Sequence, residues 1–488
     1  IPARRWRRAV GSDGTVRARG RAVGAAIRRD PVLVPLAAVA LLLAVPIPLP
    51  LPGAAATGAA DLVSLVLVLC CAPLLLRPRP DDAQRLSPRV LPVIAVPAVA
   101  CAVVTVTADD PLAAVPGFAR HLQVFVLLPL ALLVALRAPG TARWAAGLLL
   151  LPAVVQGTVG TVQYLTGTGA SYMGEDIRAV GTYGPQNVMG MAGVVAAGMV
   201  VAVAFALGGP PRAPGPRTPR ALARSLAAPL CAVALLVPLA VSFSRGAWIA
   251  TAVACAAMVL LAGRLSRRAL ILVVCGGVLA VGLAAAGSGQ VADRLTSIGR
   301  VTDTPDQSVI DRYALWDAAL TMWRQEPWTG VGPRGFPDHR DAAASVALSS
   351  GSDTGGAGWE FERQQLLSPH NMYLLVLAEQ GLLGATAAFG AWAVLLTGCA
   401  RRLRGVPPGP SRRLGLAATG LLIWQLVNFL YADIGGPTTV LTGLALGLAA
   451  WWALAPASAT GNPGNPGNPG NPGDPVGTAA PVDTGARR

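Results

Sequence analysis

Three short passages carry residue types that can do chemistry, and each sits beside an apolar run. The first is Ser242-Phe243-Ser244-Arg245-Gly246-Ala247-Trp248. Arg245 there is either a side chain snorkelling to a membrane surface or a ligand for an anion. The second begins with Asp311-Arg312-Tyr313 and continues to Pro327-Trp328-Thr329-Gly330-Val331-Gly332-Pro333-Arg334-Gly335-Phe336. Arg312 either pairs with Asp311 or Asp317 along a helix surface or meets a ligand, and the glycines let backbone approach a ligand closely. The third is Ser368-Pro369-His370-Asn371-Met372-Tyr373. His370 can act as base or acid near neutral pH, or can simply cap a helix. Ser368 is expected to be the cap, with Pro369 at the first helical position.

Two Arg and one His on one membrane face, beside an interfacial helix, suggest a substrate with a diphosphate and a lipid tail, because a guanidinium fork matches phosphate oxygens bidentately. No carboxylate cluster has metal-ligand spacing, so neither a metal nor another cofactor is expected. The other histidines, His121 and His339, read as interfacial and solvated. Glu379 lies nine residues past His370, roughly 14 Å further along a helix. An acid inside an apolar run is a functional candidate by default; it can equally be protonated or paired.

The elements that must position these residues are apolar. Hydrophobic residues make up 53% of the 488 and charged ones 13%, about half of the roughly 25% charge of a soluble protein. That balance excludes an ordinary cytosolic enzyme, a nucleic-acid reader and a disordered chain. It leaves an all-α polytopic membrane protein, with about twelve expected spans near 31–52, 59–76, 89–107, 118–136, 144–165, 186–207, 226–243, 246–263, 268–287, 370–397, 413–431 and 437–455. The seven cysteines read as small apolar residues.

Charge sets the expected orientation. The net charge is +15 and every basic residue is Arg. With the N-terminus cytoplasmic, 29 of the 39 Arg fall on cytoplasmic segments. The long segment 288–369 has seven Arg against eleven acids and falls outside. The expected organisation is a cytoplasmic Arg-rich tail (1–30, not a removed signal peptide) and a membrane domain (31–287). An extracytoplasmic loop (288–369) and a second membrane part (370–455) follow, then a disordered tail (456–488) with four Asn-Pro-Gly repeats. Within the loop, Ser308 to Gln325 reads as an amphipathic helix with Tyr313, Trp316, Leu320 and Trp323 on one face, and Ser349–Gly358 as a turn.

These passages resemble the O-antigen ligase and polymerase family of integral membrane glycosyltransferases. The likeness is carried by Phe243 to Trp248, by Arg312 to Phe336, and by His370-Asn371-Met372-Tyr373-Leu374 through Glu379-Gln380-Gly381-Leu382-Leu383-Gly384. Gly181-Thr182-Tyr183-Gly184-Pro185-Gln186-Asn187 is similar to a further family segment, with Gln186 standing between Pro and Asn. The resemblance implies a twelve-helix fold whose active site faces outside the cytoplasmic membrane, with both termini cytoplasmic. It implies metal-independent transfer of a glycan from an undecaprenyl-diphosphate carrier to an acceptor hydroxyl. By that carry-over Arg245 and Arg312 bind the diphosphate, and His370 activates the acceptor or orients the diphosphate. Asn371, Tyr373, Asn187 and Arg334 complete the substrate site. The partners are the lipid-linked glycan, a glycan or cell-envelope acceptor and the bilayer, with no nucleic acid. Ligation and polymerisation are both open. The competing readings are a transporter of an anionic or lipid-linked substrate, although neither half repeats the other, and a non-catalytic scaffold of a wall-synthesis complex.

Overall fold

The computed structural model describes residues 27, 30–47, 58–76, 88–136, 139–172, 178–208, 219–262, 307–345, 348, 352–356, 359–364 and 366–456. The expected span 268–287, the first part of the long loop, most of the Arg-rich tail and the Asn-Pro-Gly repeats lie outside these residues. In chain order the helices are α1 (Leu33–Ala44), α2 (Ala59–Leu76), α3 (Val90–Val106), α4 (Pro111–His121), α5 (Leu128–Ala135), α6 (Pro139–Leu148), α7 (Leu150–Thr166), α8 (Val188–Leu207), α9 (Pro219–Ala234), α10 (Leu236–Ala240), α11 (Arg245–Leu261), α12 (Gln307–Gln325), α13 (Phe336–Ala343), α14 (Met372–Arg404), α15 (Pro410–Asn428) and α16 (Thr439–Leu454). A π-helical turn, Leu122–Leu127, joins α4 to α5.

Four helical stretches among the described residues are long and apolar enough to cross a membrane: Pro111–Ala135, Gly140–Thr166, Met189–Leu207 and Met372–Arg404. This corrects the expectation of about twelve. Six further apolar helices are only 10–17 residues long. The reason is that an apolar run is not yet a long helix. The run 31–52 yields the 12 residues of α1, which ends at Val45, just before Pro46. Twelve residues rise about 18 Å, short of a hydrocarbon core of about 30 Å. The run 226–243 is likewise divided at Leu235 into α9 and α10.

The core lies between α8 and α16. The first packs on α7, α9, α11 and α15, the second on α5, α14 and α15. Val195, Val200, Ala204, Ala445, Ala449 and Trp451 are wholly buried along them. The outer helices turn Leu69, Leu91, Val99, Leu165 and Leu260 outward, an apolar surface of the kind that marks a membrane interaction.

The fold is not purely helical. Three short antiparallel strands, β1 (Ala170–Tyr172), β2 (Ser352–Gly356) and β3 (Trp359–Gln364), form one sheet in that order. The register Ala170↔Gly356 and Tyr172↔Thr354 ties the end of α7 to the long loop. The Gly/Ser-rich stretch expected to be a turn therefore contains a strand.

The loop helix α12 packs on α14. Its buried face is Leu315, Ala318, Ala319 and Met322, not the aromatic one expected. Small side chains let two helices approach closely, whereas Tyr313 stays half exposed and Trp316 and Trp323 only partly buried.

Candidate active site

α14 begins at Met372 because Asn371 caps it. The Asn371 side-chain oxygen accepts the backbone N–H groups of Tyr373 (3.0 Å) and Leu374 (3.2 Å), satisfying two of the donors that every helix start leaves unpaired. Ser368 was the expected cap and has a different task. Its hydroxyl donates to Asp433 and accepts the backbone N–H of His370 at 3.1 Å. His370 itself has φ +47, a left-handed conformation that is uncommon outside glycine.

Asp433 stands opposite, with one carboxylate oxygen 3.9 Å from His370 Nδ1. The carboxylate side chain keeps 7% of its surface and the imidazole 45%. The imidazole is thus half-exposed beside a nearly buried carboxylate. Burial pushes its pKa below the ordinary value, Asp433 works in the opposite direction, and the Arg312 charge lowers it again. The net lowering favours the neutral imidazole that a base requires.

Arg312 reaches this neighbourhood through α12. Trp316, one turn further along the same helix, donates its indole N–H to the Pro369 carbonyl at 2.9 Å, pinning α12 beside the start of α14. Arg245 is the first residue of α11, behind the Ser244 cap, whose hydroxyl accepts the N–H of Ala247. Gly246 lies against Tyr431, two residues before Asp433. The Met372 N–H in turn donates to the carbonyls of Phe429 (2.8 Å) and Ala432 (3.2 Å). The segment 429–433 thus links the starts of α11 and α14.

Arg334 sits elsewhere along α14. The structure breaks α14 at Gly381 (φ +58, ψ −161), and the segment 327–336 fills the break. Val331 and Gly332 donate to the carbonyls of Ala378 and Glu379 at 3.0 Å, while Leu382 and Leu383 donate to those of Pro327 and Trp328 at 2.9 and 3.1 Å. A side chain on Gly381 would collide with Trp328 backbone, and one on Gly330 with Ala378 and Glu379 backbone. The glycines of this loop thus permit close approach to a helix. The Glu379 carboxyl accepts backbone N–H groups of Phe336 (3.3 Å) and Arg334.

Of the remaining candidates, Tyr373 has a visible task within the protein. The Tyr373 hydroxyl donates to the Leu426 carbonyl at 2.8 Å, and its ring packs edge-on against Phe389, Trp392 and Phe429. Asn187 immediately precedes α8, and Met189, two residues on, accepts a contact from the Ser244 hydroxyl. The structure therefore brings the Arg312 charge and Asp433 to His370, and packs Gly246, the neighbour of Arg245, on Tyr431. It puts Arg334 at the break in α14.

Sequence reasoning missed Asp433, which lies in the turn between the runs 413–431 and 437–455; it is the acid of that turn, and this was the available signal. It also missed Asp61, which is buried, receives Arg120 at 2.5 Å and shares its neighbourhood with Gln123 and Ser64. Among the described residues, the three other than glycine with positive φ are Phe243, Arg334 and His370, one in each of the segments 242–248, 311–336 and 368–373.

Residues 230–389 match the model of a family described as O-Antigen ligase. No curated protein matches the chain. The matched segment contains Arg245, Arg312, Arg334, His370 and Glu379, and with the long apolar helices it makes this a multi-pass membrane protein. Over residues 230–389 the chain is similar to the O-antigen ligase family.

Proposed function

We propose that the chain transfers a glycan from a polyprenyl-diphosphate carrier, undecaprenyl diphosphate by resemblance, to an acceptor hydroxyl at the outer face of the cytoplasmic membrane. The coarse role, glycan transfer in polysaccharide assembly by a ligase- or transferase-type enzyme, comes with the family. The observation that supports the finer reading is the arrangement around His370: a half-exposed imidazole with the Asp433 carboxylate 3.9 Å from Nδ1 and the Arg312 charge acting on it.

In this reading the acceptor oxygen attacks the anomeric carbon while His370 takes its proton. The bond from that carbon to the diphosphate oxygen breaks, and the electron pair leaves with the diphosphate. Arg312 and Arg245 neutralise the charge that develops there, and Arg334 meets the same group from the break in α14. Fixed cations directed at developing charge are the largest single contribution available to such a site. Asp433 stabilises the imidazolium once formed, as the buried acid does in other acid–histidine pairs. Asn371 and Tyr373 serve the site by holding α14. A metal has no part in this scheme.

The test is transfer by the purified protein with a polyprenyl-diphosphate glycan and candidate acceptors, with and without chelator. His370→Ala, Arg312→Ala and Arg245→Ala should each abolish transfer while still inserting. Normal transfer by all three variants would refute the reading, and loss of activity on chelation would refute its metal-free part.

A further inference from the structure

Glu379 has no task in the scheme above, yet its carboxylate is placed with care. The loop 327–336 is held to residues 378–383 of α14 on both sides of Gly381 by four backbone hydrogen bonds. A broken helix in an apolar setting frees polar groups that must find partners, and the loop supplies them. Those four bonds end at Gly332. The turn beyond it, where Arg334 adopts φ +67, is reached by the Glu379 carboxylate through the N–H groups of Arg334 and Phe336. On the other side the turn is closed by α4, where Gly117 lies against the Pro333 carbonyl and the Arg334 Cβ. The Arg334 residue itself remains exposed. Its charge acts on the Glu379 carboxyl as well.

We propose that Glu379 is a positioning residue. It holds the left-handed turn at Arg334 and so aims that guanidinium at the diphosphate of the donor. The identity of what Arg334 meets rests on the glycan-transfer reading; the hold on the turn does not.

The experiment uses the full chain in lipid nanodiscs. Hydrogen exchange across 327–336 is compared in wild type, Glu379→Gln and Glu379→Ala. The Ala variant should exchange at Arg334 and Phe336 about tenfold faster, since a buried acceptor has been removed. The Gln variant, which keeps an acceptor oxygen, should fall between. Should the Ala variant fail to purify, a rise in the Gln variant carries the same meaning. Unchanged exchange would overturn the proposal.

Kinetics then tests the route through Arg334. Glu379→Ala should raise the donor KM about tenfold with little change in kcat, with Gln restoring part of it. The double variant Glu379→Ala/Arg334→Ala should be no worse than Arg334→Ala alone, because residues acting through one group are not additive. Additive losses would overturn the proposal. A wild type that transfers nothing would refute the glycan-transfer reading, while the exchange result would still decide whether Glu379 holds the turn.

Discussion

The Asp433 carboxylate approaches His370 Nδ1 to 3.9 Å and accepts the Ser368 hydroxyl, which in turn receives the His370 backbone N–H. One buried acid therefore governs both the ring and the backbone of the candidate base. Asp433→Asn should keep the shape and remove the charge that stabilises the imidazolium. We expect kcat to fall by about 10²-fold, in the usual range for impaired acid–base catalysis, with donor KM nearly unchanged. Steady-state transfer kinetics would check this.

The pH dependence follows from the same surroundings. Burial and Arg312 lower the His370 pKa while Asp433 raises it. As a base His370 must be neutral, so kcat/KM should fall as pH drops through that lowered pKa, below the ordinary 6.5. Asp433→Asn removes the raising influence and should move the limb further into acid. Arg312→Gln removes a lowering influence and should move whatever activity remains toward neutral pH. Shifts in the opposite senses would rule out His370 as the titrating group.

Arg312 is held close to His370 by the Trp316–Pro369 hydrogen bond. Arg312→Lys keeps the charge but replaces a planar fork with a point charge. Transfer efficiency should drop about 10- to 100-fold, the loss of one or two charge-assisted hydrogen bonds, while the position of the acid limb stays put. A pH series on the variant reads both quantities.

Gly381→Ala would place a methyl group against Trp328 backbone at a residue of φ +58. The helix would have to straighten and expel the loop, or keep the break under strain of about 1–3 kcal/mol. Lower thermal stability in detergent micelles and faster proteolysis within 327–336 should result. An unchanged unfolding temperature would mean that the break is not built on this residue.

The legible and illegible parts of the molecule separate on physical grounds. His370, Arg245 and Arg312 could be picked out because polar residues beside apolar runs are costly and therefore conspicuous. The helix of residues 307–325 was legible from its pattern, but its packing face was not. Trp and Tyr suggest burial by their size, yet Ala318 and Ala319 allow the closer contact. The number of membrane-crossing helices was overestimated because hydropathy counts apolar residues and is blind to where Pro46 or Leu235 ends a helix. The break at Gly381 and the pair Asp61–Arg120 depend on segments about 50 to 60 residues apart, and no local period records such contacts.

Phe243, Arg334 and His370 occupy backbone conformations that glycine would adopt more cheaply. Selection of random variants for heat resistance alone should therefore enrich glycine at Arg334 and His370, whereas the buried ring of Phe243, packed on Tyr164, outweighs its backbone strain. Under the proposed function, robustness and transfer pull this chain in opposite directions at Arg334 and His370.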